Sequence, residues 1–130
     1  MATTVPPVRT DPFAVNVQQE GAMLADFTIF PLDQGGAGLS RFMCELVEII
    51  EASGLDHSMH AMGTLVEGPS DKVFELIRKC HDNMAEKCDR VFTAIKIDDR
   101  KGALGLMTKK VESVEEKLGR QIHKYSVPTK

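Results

Sequence analysis

An α+β sandwich is the fold class this sequence predicts. Two helical stripes are each bounded by strand-like segments, a hairpin-like stretch lies between them, and a third, narrower stripe closes the chain. The order strand, helix, strand, strand, helix, strand is the split βαβ arrangement of a ferredoxin-like fold, and the last stripe adds a C-terminal helix.

Each element has its own justification. Met23 to Leu32 alternates, with Ala25, Phe27 and Ile29 on one side and Asp26, Thr28 and Phe30 on the other, the period of a strand. Asp33 to Gly38 carries three glycines and predicts a loop. Leu39, Phe42, Met43, Leu46, Val47 and Ile50 recur at helical spacing, predicting a helix from about Gly38 to Ser53 that Gly54 terminates. Asp56 to Glu67 fits no helical stripe and reads as two short strands turning between Ala61 and Gly63. Gly68-Pro69-Ser70 breaks the chain and starts a second helix running to about Lys87, with Ser70 as the expected cap and Asp71 at the positive end. Its buried face is expected to be Val73, Leu76, Ile77, Cys80 and Met84. Arg90 to Asp98 has high β-propensity. A last helix is expected from Thr108 to Gln121, with Met107, Val111, Val114 and Leu118 forming a stripe suited to a sheet edge or a second subunit. The paired helices cover one sheet face. The other carries Asp26, Thr28, Phe30 and Phe92, too apolar for open water, so packing of sheets between subunits is expected.

The 130 residues make one domain, expected at 22–121, between an N-terminal extension (1–21) and a C-terminal tail (122–130). The extension has no apolar core of a secretory signal, and its one arginine against two acids suits a transit peptide poorly. No apolar run approaches the ~20 residues of a membrane span. With 16 basic and 19 acidic residues the net charge is −3, and the longest basic run is Lys109-Lys110, so no nucleic-acid partner is expected. Three cysteines without a C-x-x-C pair indicate free thiols in a reducing, cytoplasmic setting.

Few residues announce chemistry. His57 and His60 fall on opposite sides of a strand, a poor metal pair, and no metal site is expected. Cys80 and Cys88 read as small hydrophobes on or near a buried stripe. Ser40 follows Gly-Gly-Ala-Gly in the first turn of a helix, where backbone N–H groups can meet an anion, although a plain connection explains that loop better. Asp98 and Asp99 end a strand and suit a solvated turn, with Asp98 left open. No catalytic triad or cofactor fingerprint is present, and no enzyme is predicted. Asp26, Thr28, Thr64 and Thr93, small polar groups among apolar strand residues, together with Phe30, Phe92 and Met62, have the make-up of a small-molecule pocket. Asp26 suits a cationic or amino-bearing ligand.

Three segments carry a resemblance: Ala25-Asp26-Phe27-Thr28-Ile29-Phe30-Pro31-Leu32, Met62-Gly63-Thr64-Leu65-Val66-Glu67-Gly68, and Arg90 through Arg100, which reads Arg-Val-Phe-Thr-Ala-Ile-Lys-Ile-Asp-Asp-Arg. Together with Lys110 to Leu118, they resemble the small thiamine-binding-protein family over about residues 23 to 120. The resemblance implies a ferredoxin-like domain that associates through its sheets into dimers and tetramers. It also implies binding of thiamine or a related hydroxymethylpyrimidine without catalysis and without a further cofactor. Positions matching the family's motifs are Thr28, Ser40, Met62, Thr64, Thr93, Lys96 and Asp98. The expected ligand-binding set is Asp26, Thr28, Ser40, Met62, Thr64 and Thr93. The alternative is an oligomeric structural or regulatory module with a vestigial pocket.

Overall fold

The computed structural model describes residues 22–33, 39–102 and 105–124. The N-terminal extension, the loop at 34–38, residues 103–104 and the tail beyond Lys124 lie outside the described residues.

Strand β1 (Met23–Pro31) organises the molecule. Its alternation is the predicted one: Met23, Ala25, Phe27 and Ile29 are buried in the core, while Asp26, Thr28 and Phe30 are half-buried on the opposite face. Helix α1 (Leu39–Ala52) follows, then β2 (Asp56–His60), β3 (Gly63–Gly68), α2 (Ser70–Ala85), β4 (Val91–Asp99) and α3 (Leu106–Leu118). The four strands form one antiparallel sheet in the order β2-β3-β1-β4, so the first strand of the described residues lies inside the sheet. This is the predicted ferredoxin-like arrangement with its extra C-terminal helix.

The helical stripes explain the core. Leu46 and Ile50 from α1, and Val73, Leu76, Ile77, Cys80 and Met84 from α2, close over Ala25, Phe27, Ile29 and Val66. Gly54, at φ +74, supplies the left-handed residue that ends α1. Thr93 is paired with Ile29 and Phe92 with Phe30, so within β4 Thr93 faces the helices and Phe92 the open face. Ile95 and Ile97 also point to the helix side, yet remain 41% and 44% exposed at the sheet's edge.

Two local expectations are corrected. Ser70 is not the cap of α2: Pro69 holds that position, without a side-chain cap bond, and Ser70 is the first helical residue. Proline's fixed φ suits a helix entrance, and Asp71 supplies first-turn charge. The last helix starts at Leu106 and stops at Leu118, where Gly119 at φ +75 turns the chain out of the helix before Gln121.

The entrance of α3 shows how it is anchored. Its N-cap is Gly105, which has no side chain to satisfy the first N–H groups. Glu67 of β3 does so from across the chain: Leu106 N–H donates to its Oε2 at 2.7 Å and Met107 N–H to its Oε1 at 3.3 Å. Glu67 is paired with Leu24, so it projects from the face opposite the core, and the start of α3 is seated on that face. The carboxylate is buried yet matched to the positive end of a helix. The stripe predicted for α3 stays largely uncovered further along, with Val114 and Leu118 exposed. Replacing Glu67 with alanine leaves these N–H groups without an acceptor. The expected cost is about 1–3 kcal/mol, with fast hydrogen exchange confined to the first turn of α3. Unchanged protection there would contradict the capping role.

Candidate functional site

A notch forms where β1 outruns β3. The β1–β3 ladder ends at Phe27↔Thr64, whereas the β1–β4 ladder continues to Pro31↔Val91. Beside Thr28, Ile29 and Phe30 the sheet therefore has no further β3 partner among the described residues. The tip of the β2–β3 hairpin, Ala61-Met62-Gly63, stands at one side of this notch and α1 lies across it. The result is a cavity of about 320 Å³, within the size range of small-ligand sites.

Its walls come from three sequence patterns. The core side of β1 gives Phe27 and Ile29. The α1 stripe gives Leu39, Met43, Leu46 and Ile50, so the residues that predicted a core helix also wall the cavity. The hairpin gives Met59, His60, Met62 and Thr64. The lining is mainly apolar, and its polar groups lie at the hairpin and on β1. Thr28 Oγ1 donates to the Met62 carbonyl at 2.8 Å. Met62 N–H donates to His60 Nδ1 at 3.2 Å, and His60 Nε2 lies 2.9 Å from Asp26 Oδ1. Gly63 sits hard against β1: a Cβ there would lie 2.8 Å from Thr28 Oγ1 and 2.9 Å from the Phe27 carbonyl oxygen. Only a residue without a side chain allows the hairpin tip this approach.

Of the residues singled out in the sequence, Thr28, Met62 and Thr64 line the cavity together. Asp26 is joined to its rim through His60. Ser40 is exposed in the first turn of α1 and is not among the lining residues, where Leu39 stands instead. Thr93 is placed elsewhere: it faces α2, and its hydroxyl is 2.6 Å from His81 Nδ1. Phe92 and Phe30 pack on the open face with ring centroids 5.1 Å apart, outside the cavity except for Phe30's share of its edge. Lys96 and Asp98 also lie on the open face, and Asp98 is paired with Lys110 of α3.

His60 is the lining residue that sequence reasoning passed over as anything but a metal ligand. The available signal was its place across a tight turn from Gly63, which has no side chain to keep the ring from reaching β1. As expected for opposite sides of a strand, His57 turns away and bonds the Leu55 carbonyl at 2.9 Å. Among the described residues no group of three or more His, Cys, Asp or Glu side chains is placed to hold a metal ion.

Elsewhere the perturbed groups follow burial and local partners. Burial pushes the Cys80 thiol up to about 12, a buried group at the α2 core. Burial, then the Asp33 carboxylate, also raises the Cys88 thiol. Glu45 is held below the usual carboxylate range, chiefly by its hydrogen bond with Lys87. A second, larger depression of about 580 Å³ lies beside the start of α3 and is lined by Arg100, Lys101, Lys109 and Lys110. These cations are solvent-exposed. The apolar notch, with its few converging polar groups, better fits the usual make-up of a ligand site. No helix among the described residues is long and apolar enough to cross a membrane.

Residues 25–115 match the model of a family described as thiamine-binding protein. A UPF0045 protein of Methanothermobacter thermautotrophicus is 34% identical over 96 residues, covering 72% of this chain and 97% of its own length. The crystal structure of the hypothetical protein MJ1052 from Methanocaldococcus jannaschii superposes with a TM-score of 0.66 at 27% identity, covering 73% of this chain and 97% of that one. A Thermotoga maritima structure, described as a candidate thiamine biosynthesis or salvage protein, superposes with a TM-score of 0.63. At 16% identity over 72% of this chain and 98% of that one, it shares the fold.

Proposed function

The chain belongs to the thiamine-binding protein family, and on that premise we propose that it binds thiamine, or its hydroxymethylpyrimidine half, in the notch between β1, the hairpin tip and α1, without chemical turnover. The observation that carries this reading is the make-up of the notch. An apolar slot walled by Phe27, Leu46 and Met62 accepts the flat faces of a heterocycle, and its few polar groups come from the hairpin and β1. Thr28 Oγ1, already donating to Met62, keeps lone pairs for an incoming N–H. Asp26, at the rim behind His60, supplies negative charge for an amino-substituted or cationic ring. Thr64 adds a hydroxyl at the floor. Ser40 and Thr93 have no part in this reading.

The working state is an oligomer in the cytoplasm, built through the sheet. Phe92, 43% exposed beside Phe30 on the open face, and Ile95 and Ile97 at the β4 edge support assembly. The same exposed residues favour the second reading, a structural or regulatory module in which the notch is vestigial.

Thermal unfolding with thiamine, hydroxymethylpyrimidine and thiamine diphosphate separates the two. At 100 times its dissociation constant, a ligand for one site stabilises the protein by about 2.7 kcal/mol, a shift of several degrees. A saturable shift with one of the three is expected, and it identifies the moiety recognised. A cooperative melt indifferent to all three, from a protein that sediments as an oligomer, would overturn the binding reading in favour of the second.

A further inference from the structure

We propose that His60 is a positioning residue of the notch: its neutral imidazole, protonated at Nε2 alone, holds the hairpin tip and the Asp26 carboxylate in register, so the rim is fully hydrogen-bonded only while His60 is uncharged. The inference rests on the notch being the binding site, and it adds a residue role that cavity shape alone does not reveal.

The argument is one of hydrogen-bond direction. A backbone N–H can only donate, so the bond from Met62 N–H to His60 Nδ1 requires a lone pair on Nδ1. The ring proton is then on Nε2, where it points at Asp26 Oδ1, an acceptor when ionised. Thr28 Oγ1 closes the circuit by donating to the Met62 carbonyl. Asp26 and Thr28 are two apart on the same face of β1, so the chain of bonds leaves β1, passes through the hairpin tip and returns to β1. Met62 stands 79% exposed. With so little burial to fix it, its position depends on these two bonds and on the close seating of Gly63.

Protonation of His60 acts on one of the three links. The imidazolium keeps its bond to Asp26 but carries a second N–H on Nδ1, which faces the Met62 N–H donor to donor. That bond is lost, and the hairpin tip is freed from its own strand end. The charged groups on this face are Asp26, Lys96, Asp98 with its partner Lys110 of α3, Asp56 and Glu67. Asp26 lies beside the ring, and Lys96 of β4 is paired with Asp26. Asp56 and Glu67 lie at the far end of the hairpin, and Glu67 is engaged by α3. Glu51 of α1 and His57 lie around a separate depression on the helix side.

The test uses the uniformly 15N-labelled full chain. At pH 8 the imidazole nitrogens of His60 are expected to show the Nε2–H tautomer. On acidification the Met62 amide resonance moves with the same midpoint as the His60 ring. Hydroxymethylpyrimidine affinity falls about fivefold to tenfold over that titration, the size of one lost hydrogen bond. His60→Ala loosens the tip at every pH. His60→Asn, whose amide oxygen replaces Nδ1 as the acceptor but does not titrate, restores the Met62 amide and removes the pH dependence. An Nδ1–H tautomer at pH 8, or a Met62 amide indifferent to the His60 titration, overturns the assignment. If the tautomer and the coupled Met62 shift are both found while none of thiamine, hydroxymethylpyrimidine and thiamine diphosphate binds at pH 8, the latch stands and the binding reading falls instead.

Discussion

Replacing Phe27 with alanine is expected to cost about 3–5 kcal/mol, the range for removing a buried aromatic ring. Phe27 is 3% exposed in the middle of β1, with the hydrophobic cluster on its side of the sheet and ladders to β3 and β4 on both flanks. Neighbours anchored in a four-stranded sheet cannot collapse into the space left behind, so the cavity term is retained in full. For a domain of this size the loss lowers the melting temperature by about 15 °C or more. Urea unfolding should show a lower midpoint with an unchanged slope. The ring is also part of the notch wall, so any folded variant should bind ligand more weakly. A loss under about 1 kcal/mol would place Phe27 outside a packed core and contradict the architecture described above.

The second large effect is expected from Gly63→Val. The first added carbon would meet Thr28 Oγ1 at 2.8 Å and the Phe27 carbonyl oxygen at 2.9 Å. The threonine hydroxyl can rotate away. The carbonyl belongs to a strand held on its other side by β4, and it has nowhere to go. The hairpin tip must therefore lift, at a cost of about 1–3 kcal/mol for overpacking. Lifting it breaks the Thr28–Met62 bond and splays the rim. Loss of at least tenfold in hydroxymethylpyrimidine affinity is expected beside a modest fall in melting temperature. A variant with wild-type affinity would show that the tip takes no part in binding.

Most of the fold was legible because its signals are local. The stripes of α1 and α2 and the alternation of β1 are complete in the sequence; the buried faces of α2 and β1 are the predicted ones, while of the α1 stripe Leu46 and Ile50 are buried, Phe42 and Met43 pack against the core, and Leu39 stays exposed. What was not legible depends on register between strands. With Phe92 expected on the open face, alternation already turns Thr93 toward the helices, but only the assembled sheet shows that its hydroxyl meets His81 of α2 there, away from Thr28. The same holds for His60, whose importance comes from Asp26, a residue distant in sequence that its side chain reaches past the start of β3. The cap of α3 was illegible for a related reason. Its acceptor is Glu67 of β3, reached only after the sheet is built, whereas sequence rules look for caps a few residues away. Thr28, Met62 and Thr64 line one cavity because β1 and the hairpin tip, both strand-patterned in the sequence, meet at the notch.

The interior position of β1 also bears on how the molecule assembles in time. The earliest strand in the chain finds both its neighbours late: Met23 pairs with Gly68 on one side and with Asp99 on the other. Closing such long loops costs entropy before any burial compensates. The β2–β3 hairpin and the two core helices draw on nearby residues and can form within microseconds. The central strand must wait for them and for β4, so the pace of folding is set by long-range closure around β1. Until then its apolar face, Ala25, Phe27 and Ile29, is uncovered, and in that interval the chain is most exposed to association with other unfinished copies.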